Sequence, residues 1–334
     1  MTLRLHLNEN TGGCSPAVLA SLRELAAEDI AQYPDYTAVT ADCARWLGVP
    51  ETWVQLTNGL DEGIQILAQQ AALSGGRGFE AMVVEPAFEM YARFAEAAGG
   101  TVVSIPPRPD FGFPLEEILA RLSSFTRVVY LTDPNNPTGM PIPAGAFETI
   151  ALAAPQALVL VDEAYGDFSR RTVIGPALGR LRNVVVGRTF AKAHGLAGLR
   201  VGVLIAHPST LEPLRRILPP YSSNICAVRA LSAALRDRAY TDEYVDQSRE
   251  SKALIYDFCE RHGIPYWRSE ANFVLLRPGA SSMVQQLAAR RVFVRDASGH
   301  AGCGGCIRIT AGRVDDTRRC LSVMEDILAT RDDR

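Results

Sequence analysis

The chain lacks any apolar run near the roughly 20 residues that cross a membrane. No long apolar stretch of the signal-peptide kind follows Met1-Thr2-Leu3-Arg4-Leu5-His6. Positive charge is not in excess: 34 lysines and arginines meet 37 aspartates and glutamates, for a formal net charge of -3. That balance gives no electrostatic case for nucleic acid or an anionic membrane as partner. The seven cysteines are odd in number and scattered, which fits free thiols in a reducing compartment better than a disulfide frame. Cys303-Gly304-Gly305-Cys306 is a lone C-x-x-C with no second pair nearby, so it reads as a glycine-rich loop and no metal site is expected. Internal repeats and low-complexity tracts are also missing. The expected location is the cytoplasm.

What is present is enough chain for roughly two domains. The 334 residues are 47% hydrophobic and 21% charged, an ordinary balance for a globular protein with a sizeable core. Ser15-Pro16 predicts a helix start, with serine as N-cap and proline at the first position, and the helix is expected to run to about Asp29. Val54 to Thr57 reads as a short strand. Asn58-Gly59-Leu60-Asp61 follows it and opens a helix, so free backbone N–H groups there make an anion site.

A regular alternation comes next. Strand-length apolar runs stand at 81–85, 101–105, 128–132, 158–162, 184–188 and 201–206, with helical stretches among them. Apolar strands alternating with helices predict an α/β fold with a mostly parallel sheet between helices. In such sheets, sites lie beyond the carboxyl ends of the strands. Polar residues gather at those ends: Asn58 to Asp61, Pro86 to Phe88, Asp133 to Gly139, Asp162 to Tyr165, and Thr189 to Lys192. From about Pro208 the pattern shifts to long helices and shorter strands, which reads as a smaller α+β domain. Residues 30–220 are assigned to the large domain, and 1–29 with 221–334 to the small one.

Lys192 lies in a loop between two apolar strands, with Arg200 eight residues on. Desolvation in such a place favours the neutral amine, which predicts a nucleophile able to form a Schiff base with a carbonyl cofactor.

The series Val128 to Gly139, Leu160-Val161-Asp162-Glu163-Ala164-Tyr165, and Arg188 to Lys192 with Leu199-Arg200-Val201-Gly202 resembles the fold-type I pyridoxal-phosphate aminotransferases of class I/II. Leu7-Asn8-Glu9-Asn10, Tyr33-Pro34-Asp35, Asn58 to Gly63, Glu85 to Tyr91, Glu270 to Val274 and Cys306 to Gly312 are similar to the histidinol-phosphate aminotransferase branch. The resemblance covers nearly the whole chain in order.

It implies pyridoxal 5'-phosphate as cofactor and gives each residue a task. Lys192 is the anchor and then the general base. Asp162 pairs with the cofactor's ring nitrogen and keeps it protonated, which improves the electron sink. Asn136 and Tyr165 bind the ring hydroxyl, and Phe88 stacks on the ring. Gly59, Leu60 and Asp61 through their backbone, with Thr189 and Arg200, hold the cofactor phosphate. Tyr33 reaches the neighbour's phosphate across a homodimer. Arg308, Arg295 and Asn136 face the substrate, Arg295 toward a substrate phosphate; His194 and His300 could contact substrate but read as incidental.

Two departures stand out. The family has serine before the lysine where this chain has Ala191, so one phosphate donor is missing. The family's N-terminal arm precedes the Leu7-to-Asn10 motif, which here begins at the seventh residue, so that arm is expected to be absent or short. The implied reaction exchanges histidinol phosphate and 2-oxoglutarate for imidazole-acetol phosphate and glutamate, a step of histidine biosynthesis. The alternatives are a transaminase of aromatic or other amino acids, and an enzyme resembling threonine-phosphate decarboxylase.

Overall fold

The structure, a computed structural model, describes residues 2–279 and 282–332. Among them are the strands β1 (Leu3–Leu5), β2 (Val54–Thr57), β3 (Glu80–Val84), β4 (Thr101–Ile105), β5 (Thr126–Thr132), β6 (Leu158–Asp162), β7 (Val184–Thr189), β8 (Gly202–Ile205), β9 (Tyr266–Trp267), β10 (Phe273–Leu276), β11 (Val292–Asp296) and β12 (Ile307–Thr310). They form two sheets.

The larger sheet has the order β2-β8-β7-β6-β5-β3-β4. From β7 to β4 every pairing is parallel, and β8 runs antiparallel to both β7 and β2. Its central strands are apolar on both faces because both faces are covered. Val129, Val159, Val186 and Val203 point one way, against Ile150 and Leu231 on the helices Ala146–Ala153 and Ile225–Arg236. Val128, Leu160, Val185 and Leu204 point the other way, against Ile64 and Leu67 on the helix Gly59–Gly75. Each such side chain contributes about 1.5–3 kcal/mol by burial. This is the α/β architecture that the apolar runs predict.

The smaller sheet has the order β1-β11-β12-β10-β9, with β1 parallel to β11 and the rest antiparallel. Leu5, Phe258, Val274, Val292, Ile309 and Met324 form its separate core. The helices Arg238–Arg261 and Val314–Asp332 supply Phe258 and Met324. No helix among the described residues is long and apolar enough to cross a membrane.

One expectation fails locally. The first helix does begin at Pro16, with the Ser15 hydroxyl accepting from the Val18 N–H at 3.4 Å. It stops at Arg23, and a second helix spans Ala27–Ala31. The Asp29 carboxylate accepts from the Ala26 N–H at 3.0 Å and from Arg229 at 2.9 Å. That tether caps a new start and turns the chain away from the first helix axis.

The parallel strands leave their carboxyl ends on one edge. The β2–helix turn joins that edge, since Thr57 pairs with Gly202 and Gly202 with Thr189. The smaller sheet faces the same opening.

Candidate active site

A cleft of about 330 Å³ lies between the two sheets. Lys192, Asp162, Tyr165, Phe88, Asn136, Thr189, Leu60, Asp61, Arg200, Arg295 and Arg308 all line it. Of the predicted cofactor and substrate residues, Gly59 and Tyr33 are not on its wall.

Asp162 ends β6 and is 4% exposed. Its Oδ2 accepts from the Tyr91 hydroxyl at 2.6 Å and its Oδ1 from the Ala164 N–H at 2.8 Å. Burial outweighs both donors and pushes its pKa up to about 6. The same burial, with the carboxylate beside it, raises the Tyr91 phenol well above its usual range. Behind Asp162, Glu163 and Arg188 form a buried ion pair at 2.8 Å, which ties the end of β6 to β7.

Lys192 projects from the loop after β7. Its Nζ donates to the Leu7 carbonyl at 3.0 Å and lies 5.9 Å from the centre of the Tyr165 ring. It is half-buried, not sealed from water. Tyr165 is held by Asn8, whose Nδ2 donates to the phenol oxygen at 3.0 Å, and by edge-on packing against Phe273 at 5.0 Å.

One end of the cleft is built for an anion. The helix Gly59–Gly75 starts there, and Arg200 crosses its first turn. Residue 59 has a φ of +74°, which favours glycine, and a Cβ there would sit 2.7 Å from Arg200 Nη2 and push the guanidinium aside. Arg200 Nη2 is paired with Asp61 Oδ2 at 2.9 Å, so the Asp61 carboxylate positions the arginine. The Thr189 hydroxyl accepts from the Ala191 N–H at 3.2 Å and keeps its own proton to donate.

The other end carries Arg308 and Arg295, which are cross-strand partners on β12 and β11. Arg308 is 7% exposed. It donates to the His6 carbonyl at 2.9 Å and to the Asn136 side-chain oxygen, and it lies over the Phe273 ring at 5.1 Å. Its Nε has no partner. Neither arginine has a carboxylate within ion-pairing distance among the described residues. Burial without a counter-ion lowers the pKa of Arg308.

Other candidates lie elsewhere. Tyr33 is 77% exposed and stacks on Tyr221 at 4.2 Å. His194 is buried against Trp46 and Phe190, on the wall of a different cleft, as its incidental reading expects. His300 does line the active cleft. Cys303 and Cys306 face each other in a tight turn. The Cys303 thiol donates to the Cys306 sulfur, which lowers the pKa of Cys306 and raises that of Cys303.

Sequence reasoning gave no task to Tyr91, Asn8 or His6, all on the cleft wall. Tyr91 and Asn8 sit inside motifs that did carry the resemblance; His6 carries no such signal. Composition held one unused clue. The chain has two lysines, and the other, Lys252, is buried with its Nζ on the Ser269 carbonyl at 2.7 Å and its pKa lowered by burial to about 8.

The fold is of the fold-type I aminotransferase kind, as a solved relative makes concrete. The histidinol-phosphate aminotransferase of Sinorhizobium meliloti, determined in complex with pyridoxal-5'-phosphate, superposes with a TM-score of 0.86 at 25% identity, over 99% of this chain and 91% of that one. The family Aminotransferase class I and II matches residues 1–322, and the chain belongs to it. Two named relatives are similar over 98% of this chain and 89% of their own length. Histidinol-phosphate aminotransferase 2 of Ralstonia nicotianae is 33% identical, and the histidinol-phosphate aminotransferase of Halorubrum lacusprofundi is 36% identical. The L-threonine-O-3-phosphate decarboxylase of Porphyromonas gingivalis shares the fold, with a TM-score of 0.80 at 21% identity.

Proposed function

We propose that this aminotransferase uses pyridoxal 5'-phosphate and exchanges the amino group of histidinol phosphate with 2-oxoglutarate, giving imidazole-acetol phosphate and glutamate. The observation that carries the substrate reading is the Arg295–Arg308 pair, two guanidiniums without carboxylate partners among the described residues, in the same cleft as Lys192. Two forks suit a phosphate dianion at one step and a dicarboxylate at the other.

The residues fit the cofactor. A glycine kept clear for Arg200, the open helix start and the Thr189 hydroxyl suit its phosphate. The buried Asp162 carboxylate suits its ring nitrogen, and the half-buried Phe88 suits its ring face. Bound, the cofactor supplies an electron sink for the carbanion at the substrate's α-carbon.

The chain supplies the rest. Lys192 would anchor the cofactor, and its amine would take the proton from the substrate's α-carbon. Asp162, fixed by Tyr91 and the Ala164 N–H, holds its negative charge toward the ring nitrogen. Tyr165, oriented by Asn8, and Asn136, bonded to Arg308, donate near the ring hydroxyl. Arg308 fixes the substrate's anionic group and with it the direction of the α-carbon bond that breaks. The exposed Tyr33 supports a homodimer in which that side chain reaches the partner's cofactor phosphate.

The test is a half-reaction. Loaded with cofactor and given glutamate, the protein releases a stoichiometric amount of 2-oxoglutarate, and imidazole-acetol phosphate then consumes the stored amino group. Lys192→Ala does neither. Consumption by arylpyruvates alone would replace the substrate, and carbon dioxide release from a phosphorylated amino acid would replace the reaction class.

A further inference from the structure

The small sheet sets three cationic positions in a row beside the cleft. β1, β11 and β12 are consecutive strands. Arg295 and Arg308 are direct partners across β11 and β12. Leu5 pairs with Val294 in the parallel β1–β11 ladder, so His6, one residue further, comes out beside Arg295. Arg308 reinforces this by donating to the His6 carbonyl at 2.9 Å. The His6 ring packs on Phe293 at 6.1 Å, and its buried Nδ1 has no partner. His300 enters from the turn after β11. Its N–H donates to the Ala297 carbonyl and its own carbonyl accepts from the Cys303 N–H, both at 3.0 Å. All four residues line the cleft that holds Lys192.

The charges facing each imidazole define its state. His6 faces Arg4, Arg295 and Arg308, with Glu9 as the opposing carboxylate. Glu9 is already paired with Arg4 at 2.8 Å. His300 faces Arg295 and Arg308, with Glu89 opposing. Glu89 is already paired with Arg93 at 3.2 Å. Burial first, and then the arginines, hold both imidazoles below the usual histidine range. An empty site at neutral pH therefore keeps them uncharged. An anion placed between the arginines reverses the sign of the local field and draws protons onto the rings.

We propose that His6 and His300 are specificity-determining residues that complete a phosphate-monoester subsite around Arg295 and Arg308, taking up protons when a doubly charged anion enters. The inference rests on the aminotransferase reading of the cleft. A single carboxylate needs only the arginine fork, with the imidazoles left neutral. A dianion has charge and acceptors for both further donors. The same cleft thereby handles two unlike anions in alternating half-reactions, which suits a reaction joining a phosphorylated amine to a dicarboxylate.

The test uses the cofactor-loaded protein and sulfate, a dianion whose charge is constant near neutral pH. Calorimetric titration at pH 7 in buffers of different ionisation enthalpy reads protons taken up on binding. The expected result is net uptake that disappears in the double variant His6→Asn/His300→Asn. In the same variant, KM for the phosphorylated ketone rises about a hundredfold more than KM for glutamate, the scale of two lost hydrogen bonds to a charged group. No sulfate binding, uptake that survives in the double variant, or equal losses for the two substrates would each overturn the proposal. If one single variant fails to fold, the other imidazole still reports through its own share of the uptake. Failure of the unsubstituted protein to release 2-oxoglutarate from glutamate would sink the aminotransferase reading instead, while the sulfate measurement stays readable.

Discussion

The hydroxyl of Tyr91 donates to Oδ2 of Asp162 at 2.6 Å, with both side chains buried. Thr132, at the end of β5, steadies the phenol oxygen at 2.9 Å. Tyr91 is further fixed by stacking on Tyr130 at 4.9 Å and by the edge of Phe88 at 5.8 Å. The carboxylate at the end of β6 is therefore held by a phenol on the wall of the same cleft.

Tyr91→Phe removes that donor and little volume. A hydrogen bond to a charged group is worth about 1.5–3 kcal/mol, so turnover should fall about ten- to a hundredfold. With one donor gone, burial lifts the Asp162 pKa further, and the acid limb of the kcat profile should move to higher pH. A pH profile identical to that of the parent would show that Tyr91 does not act through Asp162.

Asp162 also makes stability depend on pH. Its pKa is raised from 3.8 to about 6 on folding, so the folded apoprotein holds this proton more tightly than the unfolded chain. The group costs nothing below about pH 4, and stability falls as pH rises from there through about 6, by about 3 kcal/mol in full. Asp162→Asn removes that cost and loses about 1 kcal/mol of hydrogen bonding. The apo variant should melt higher than the parent at neutral pH, lose the advantage toward pH 4 and fail to turn over. A lower melting temperature at neutral pH would contradict the buried-charge account.

Some of this was open to reading in the sequence and some was not. The run Leu158 to Asp162 is a buried strand because only apolar side chains tolerate a sheet covered on both faces, and its one charge had to stand at the end. Gly59 was legible as a helix start, but the Arg200 guanidinium lying across it needs coordinates. The Tyr91–Asp162 bond joins residues 71 apart, and no local period predicts such a pair. The His6–Arg295–Arg308 row joins the two ends of the chain through β1, whose three residues are too short to announce a partner. The break between Arg23 and Ala27 is not written locally, because Asp29 is held by Arg229, 200 residues away.

Ala191 stands where a serine would add a phosphate donor, and it lines the cleft next to Lys192. Ala191→Ser should tighten the binding of pyridoxal 5'-phosphate by about tenfold, a gain of about 1.5 kcal/mol. Equilibrium dialysis of the apoprotein against the cofactor measures it. Unchanged or weaker binding would mean that Thr189, Arg200 and the helix start already saturate the phosphate.

Arg308 is a buried guanidinium that spends two donors on the chain and leaves Nε free. Its fork anchors Asn136 and the His6 carbonyl while facing the cleft, a task for a planar group with five donors. Arg308→Lys keeps the charge and the packing stem but not the fork. A lysine that bonds the His6 carbonyl has too few directed donors left for a carboxylate. KM for glutamate should rise about a hundredfold, the scale of one bidentate contact, while stability falls by only about 1 kcal/mol, the worth of the lost Asn136 contact. If Arg308→Lys binds glutamate as the parent does, the anion rests on Arg295, and the buried arginine only fastens β12 to Asn136.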